Sequence, residues 1–184
     1  MIDAVIKVGG ALLASPSELG VVVAALDRIA PARSLLIVPG GGPFANAVRA
    51  VDRMHALTDD DAHWMAILGM EQFAILLATR LSNAELVHRR GDIACAHSLG
   101  RLPVLAPYRW LREADPLPHS WDVTSDSIAA WIASQVGAPR LILIKPAAHD
   151  SPTIVDRYFD RARSPSLECS FVTPAMLNGN WFPA

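Results

Sequence analysis

Cysteine is almost missing from this chain: Cys95 and Cys169 are its only two among 184 residues. Two cannot build a disulfide framework, and these lack the spacing of metal ligands. Each is expected to be a small buried apolar residue rather than a reactive thiol. Runs of Lys or Arg are absent as well, and the net charge is only −2. A groove for a nucleic-acid backbone is therefore not expected. No stretch approaches the roughly 20 apolar residues of a membrane span, and the run from Leu141 to Ile144 is strand-sized. The opening segment Met1 to Lys7 shows no basic leader and no long apolar core, so a cytoplasmic protein away from membranes is expected. The histidines, His55, His63, His88, His97, His119 and His149, show no ligand-type spacing, which argues against a zinc site.

What the chain does have is apolar residues, 52% of the total, set in short β-branched runs that alternate with longer helical patterns. This alternation predicts an α/β fold, a three-layer αβα sandwich around a mainly parallel central sheet. The length fits a single domain over residues 1–184. Strands are expected at 4–8, 35–38, 84–87, 103–106 and 141–144. Helices are expected from a Ser17 cap to about Ile29, from Phe44 to His55, from Thr58 to about Leu81, near Ile93 to His97, and from Thr124 through Gln135, ended by Gly137. The segment 108–121, with Pro116 and Pro118 and three aromatic residues, reads as an irregular loop of the kind that carries function. The tail from Ala147 onward is mixed and carries no clear pattern.

Four segments carry chemistry. Lys7-Val8-Gly9-Gly10 puts a lysine inside an apolar strand, which is costly unless it meets an anion or a cleft, before two glycines that allow close approach of a phosphate. Pro39-Gly40-Gly41-Gly42-Pro43 follows the second strand and precedes a helix, an anion site by geometry and dipole, with Gly41 expected to need a left-handed backbone. A loose dinucleotide fingerprint over Gly40, Gly42 and Ala45 follows the wrong strand and lacks its acidic answer, so an NAD-type oxidoreductase is disfavoured. Thr124-Ser125-Asp126-Ser127 is a good helix start, and Leu141 to Lys145 is a buried strand ending in a lysine.

The order of these segments resembles the amino acid kinase superfamily, to which acetylglutamate, carbamate, aspartate and uridylate kinases belong. Within it, the Trp64-to-Phe73 helix and the Leu102-to-Tyr108 segment are most similar to the small kinases of methanofuran-type cofactor synthesis. The resemblance covers about residues 2 to 150 and implies a carbamate kinase-like fold, ATP as donor, and Mg²⁺ held mainly by the ATP phosphates rather than by protein ligands. It also implies a small-molecule acceptor and a homo-oligomer of two or more copies. Transferred by position, it makes Lys7, Asp126 and Lys145 the catalytic set, with Gly9 and Gly10 donating N–H groups to the donor phosphates. Gly40, Gly41 and Gly42, with Asp61 and Thr124, would face the acceptor.

Two departures accompany the likeness. Where the family places a Thr-Asp-x-x-Gly turn, this chain reads Lys145-Pro146-Ala147-Ala148-His149-Asp150, and the nucleotide-binding part, about 147–184, is short. Lys145 is the candidate replacement for the family's second lysine. The alternative is a non-catalytic binding or regulatory subunit on a degenerate scaffold. No dedicated base stands near the glycine turns, which favours an acceptor that is already an anion. Arg49, Arg53, Trp110 and Trp121 are further candidates for its pocket, with a solvated face and core packing as their plainer roles.

Overall fold

Every residue of the first strand, Ala4–Val8 (β1), is buried, because helices cover both faces of the sheet it belongs to. The computed structural model describes residues 1–146, 155–179 and 181–182. After β1 come helix α1 (Pro16–Ile29), strand β2 (Leu35–Pro39), helices α2 (Gly42–His55) and α3 (Asp59–Arg80), and strand β3 (Ala84–Val87). Helix α4 (Arg90–Ser98), strand β4 (Leu102–Leu105), helices α5 (Tyr108–Ala114) and α6 (Ser125–Val136), and strand β5 (Arg140–Ile144) follow. The chain then forms a short helix α7 (Phe159–Ala162) and strand β6 (Glu168–Val172). The strands make one six-stranded sheet in the order β3-β4-β2-β1-β5-β6, and every pairing is parallel. The expected α/β sandwich is therefore present, with a sheet that is wholly parallel.

The alternation of side chains along each strand sorts the apolar residues into two cores. Val5, Leu36, Val38, Leu105, Leu141 and Leu143 face one side, where Ile128, Ala129, Ala130 and Ile132 of α6 pack. Ala4, Ile6, Val8, Leu35, Ile37, Ile142 and Ile144 face the other, under Val22 and Leu26 of α1. Helix α3 serves both: Trp64, Ile67 and Met70 enter the first core, and Phe73, Ala74 and Leu77 the second. It is long and apolar enough by composition to cross a membrane. Here, however, Phe73, Ala74 and Leu77 are fully buried within the protein, and Asp59, Asp60 and Asp61 occupy its first turn.

Several boundaries differ from the sequence reading. Ser15, not Ser17, caps α1: its hydroxyl accepts from the Glu18 N–H, and Pro16 fills the first helical position. The segment expected to be irregular contains α5, and the unpatterned tail supplies the edge strand β6. Only Val172 of that strand is buried, so it offered no continuous apolar run to read. Cys95 is exposed rather than buried, and Cys169 is half-buried. The turn at 147–150, including His149, lies outside the described residues.

Candidate active site

Strand parity decides where the two lysines point. Lys7 pairs in register with Val38 on β2 and Leu143 on β5, so it shares their face, the one covered by α6. Lys145 follows Leu141 and Leu143 at the same parity, just past the end of β5. Both lysines therefore reach the carboxyl end of neighbouring strands beneath the start of α6. Ligands of open α/β sheets bind outside this edge, where connections leave in opposite directions, here between β1 and β5.

Asp126, in the first turn of α6, stands between them. The Lys7 ammonium lies 2.7 Å from Asp126 Oδ1, an ion pair by distance that is not aligned as a hydrogen bond. Lys145 Nζ donates to Asp126 Oδ2 at 2.6 Å. Lys7 and Asp126 are each only 4% exposed, so their charges require each other. Burial pushes the Asp126 carboxyl up, but the charges of Lys7 and Lys145 more than offset this and hold it below its ordinary value. Burial and then repulsion from Lys7 pull the Lys145 ammonium down, against the attraction of Asp126.

The glycine turns serve packing first. A β-carbon on Gly40 would stand 2.5 Å from the Gly10 nitrogen, and one on Gly10 would collide with the Gly42 backbone. The two turns thus lie main chain against main chain, which only glycine permits. The left-handed backbone falls at Gly42, with φ +53°, and not at Gly41, which is right-handed at φ −82°. The Gly9 N–H donates to the Ile144 carbonyl at 2.8 Å, so it is already engaged and not available to a phosphate as the sequence suggested. Gly10 opens a 3₁₀ turn, whose first N–H groups find no partner inside the turn.

Beside the turns lies a cleft of about 700 Å³ between α2, α3 and the start of α6. Gly10, Gly41, Gly42, Thr124 and Ser125 line it, as do Ile67, Met70 and Val123. Its polar groups include Arg49, Asp59 and His63. The Arg49 guanidinium lies 4.4 Å from the centroid of the Trp121 ring, and Trp121 Nε1 donates to Asp52 at 2.8 Å. Arg49 therefore faces the cleft rather than open solvent, whereas Trp110 packs against Trp131 in the core. Asp61 is elsewhere: it accepts from the Thr58 hydroxyl at 2.8 Å in the cap of α3, and Asp59 is the acidic residue of that turn that lines the cleft.

Two features had escaped the sequence reading. His63 stacks on His119, whose Nε2 is 2.8 Å from Asp115 and whose Nδ1 reaches Asp60 at 2.5 Å. Asp156 accepts from Thr124 N at 2.9 Å, Thr124 Oγ1 at 2.7 Å and Ser127 N at 3.1 Å. Apart from the i,i+4 pair of His119 with Asp115, nothing local in the sequence signals these contacts, because they join residues far apart in the chain.

A parallel sheet whose central carboxyl edge gathers two lysines around one aspartate, beside paired glycine turns, is suited to holding phosphate groups. The chain belongs to the amino acid kinase family, whose profile matches residues 4–149. It is 27% identical over 156 residues to the [5-(aminomethyl)furan-3-yl]methyl phosphate kinase of Methanocaldococcus jannaschii, covering 84% of this chain and 68% of that protein. Among solved structures it resembles uridylate kinase from Archaeoglobus fulgidus, with a TM-score of 0.67, 17% identity, and coverage of 95% of this chain and 92% of that one. UMP kinase from Ureaplasma parvum superposes with a TM-score of 0.62 at 16% identity, covering 83% and 74% of the two chains. These two likenesses are of fold.

Proposed function

We propose that this chain transfers a phosphoryl group from ATP to a small anionic metabolite, and that its acceptor is an aminomethyl-furan-methanol phosphate or a close analogue. The observation that carries this reading is the Lys7–Asp126–Lys145 arrangement at the carboxyl edge of the sheet. Phosphoryl transfer asks for positioning and for neutralisation of charge on the equatorial oxygens. Lys7 and Lys145 supply two positive charges, and Asp126 holds them apart at fixed positions until a phosphate takes part of their charge. Gly10 and the start of α2 offer main-chain N–H groups to the same phosphates. Mg²⁺ would be held mainly by the ATP phosphates rather than by side chains of this protein, and would supply a further neutralising charge.

The cleft supports the acceptor. Arg49 is a permanent cation facing it, suited to a phosphate monoester. Asp59 also lines the cleft as a partner for an ammonium group, and Ile67, Met70 and Val123 offer apolar contact to a flat ring. An acceptor phosphate is already a nucleophile, so the site needs no general base. The relative from Methanocaldococcus jannaschii is named for a substrate with an aminomethyl group, a furan ring and a phosphate, groups for which these lining residues are chemically suited.

The test is phosphorus NMR of the purified chain with ATP, Mg²⁺ and [5-(aminomethyl)furan-3-yl]methyl phosphate. Appearance of a diphosphate ester with loss of the ATP γ signal is expected. Tight binding of ATP without turnover of this or any related phosphate monoester would leave the non-catalytic subunit as the better reading.

A further inference from the structure

Helix α6 is held at its start by a residue from outside the helix. The first N–H groups of a helix need partners, and usually the N-cap side chain provides one. Thr124 occupies the N-cap but its side chain makes no such bond; its hydroxyl donates to Asp156 Oδ2 at 2.7 Å. The same oxygen accepts from the Thr124 N–H at 2.9 Å and the Ser127 N–H at 3.1 Å. Asp156 Oδ1 accepts from the hydroxyl of Ser127 and from the Tyr158 N–H. Ser127 is fully buried, so its hydroxyl depends on that carboxylate.

We propose that Asp156 is a positioning residue of the phosphoryl-transfer site, clamping the first turn of α6 on both sides of Asp126 so that this aspartate stands between Lys7 and Lys145. The inference rests on the kinase reading for its catalytic consequence, but its geometry is independent of it. Asp126 lies between Thr124 and Ser127, the two residues that Asp156 grips by main chain and side chain alike. Rotation of this turn would carry Asp126 away from one lysine or the other.

Asp156 also bears on the lysines that Asp126 joins. Asp156 lies close enough to act on the Lys145 ammonium, raising its pKa alongside Asp126 and against burial and the charge of Lys7. A cap that only stabilised the helix would hold α6 but have no effect on the lysine.

The test compares Asp156→Asn with Ser127→Ala, which keeps the carboxylate and removes one of its partners. For Asp156→Asn, kcat should fall by about 10- to 100-fold, the range expected of a small misplacement, with the acceptor KM within about threefold of the parent. The Lys145 side-chain carbon resonances, followed by NMR in the ligand-free protein, should titrate at lower pH, and the alkaline limb of kcat should shift the same way. Ser127→Ala should lose less kcat and leave the Lys145 titration in place. Parental kcat and parental Lys145 titration in Asp156→Asn, with only a lower Tm, would reduce Asp156 to a helix cap and overturn the proposal. If Asp156→Asn does not fold, parental kcat in Ser127→Ala overturns it instead. A parent protein without phosphoryl transfer would count against the kinase reading alone, and the Lys145 titration would still decide the role of Asp156.

Discussion

The rings of His63 and His119 lie face to face, their centroids 4.1 Å apart and 19° from parallel. Each nitrogen of His119 meets a carboxylate, Asp60 at Nδ1 and Asp115 at Nε2, an arrangement that favours the imidazolium, in which both nitrogens donate. Burial opposes that charge, but the two hydrogen bonds outweigh it and raise the His119 pKa above 6.5. Burial first, then the charge of His119, hold His63 down to about 4.

A pH dependence of stability follows with a definite sign. His119 contributes stability that is fully present below its unfolded pKa and is lost as pH rises through its raised folded value. His63 resists protonation, so stability falls as pH drops from 6.5 toward about 4. Proton NMR should show His63 titrating near the lower value and His119 above 6.5. In His119→Asn, His63 should move part of the way back, because burial remains, and the acid-side loss in urea melts should become shallower. A His63 that titrates at its ordinary value in the parent protein would contradict the stacking account.

Lys7→Met keeps the length and apolar stem of the side chain while removing its charge. On the proposed reading, turnover should fall about 10²- to 10³-fold, equivalent to ~2.7–4 kcal/mol of transition-state stabilisation. The protein should also lose stability, since Asp126, 4% exposed, would retain only Lys145 as a counter-charge. A variant with parental turnover would remove Lys7 from the site; one with parental stability would mean that the pair is not formed in solution.

Much of this arrangement could be read before the structure, for physical reasons. A strand alternates with period two, so Lys7 and the run from Leu141 to Lys145 already stated which face each lysine takes once both strands are placed side by side. The glycine turns were visible because three consecutive glycines exceed what a tight turn needs. Their division of labour was not: the positive φ belongs to Gly42 and the N–H of Gly9 is engaged by Ile144, both consequences of backbone packing between two distant turns. Asp156 and the edge strand β6 were illegible because their partners lie on α6 and β5 and their own segment carries no periodic pattern. Arg49 was legible only as a candidate for the pocket with a solvated face as its plainer role, since helical spacing alone does not show that the segment before α6 folds over it.

Two glycine substitutions separate packing from conformational entropy. Gly42→Ala places a methyl group against the Gly10 main chain at a left-handed φ of +53°. The backbone strain alone costs about 1–2 kcal/mol, and the collision adds to it, so Tm should drop sharply. Gly20 lies within α1 with open space around it. There an alanine should stabilise the protein by about 0.8–1.0 kcal/mol through helix propensity. Thermal melts of both variants check the pair, and a Gly42→Ala protein as stable as the parent would mean that the two turns are further apart than described.

Arg49 offers the sharpest test of how the cleft is used. Its guanidinium is held against Trp121, 4.4 Å from the ring centroid, and bonds to Asn46 at 3.2 Å. Trp121 is in turn fixed by its bond to Asp52, so the cation is presented to the cleft in one orientation. A hydrogen bond to a charged group contributes about 1.5–3 kcal/mol, and each ~1.4 kcal/mol is tenfold in affinity. Arg49→Ala should therefore raise the acceptor KM by about 10- to 100-fold while leaving the KM for ATP nearly unchanged. Trp121→Phe keeps the ring beneath the guanidinium but loses the bond to Asp52, and its effect should be in the same direction and smaller. If Arg49→Ala instead raised the KM for ATP and spared the acceptor, the cleft beside α2 would belong to the nucleotide, and the acceptor would have to bind elsewhere along the carboxyl edge of the sheet.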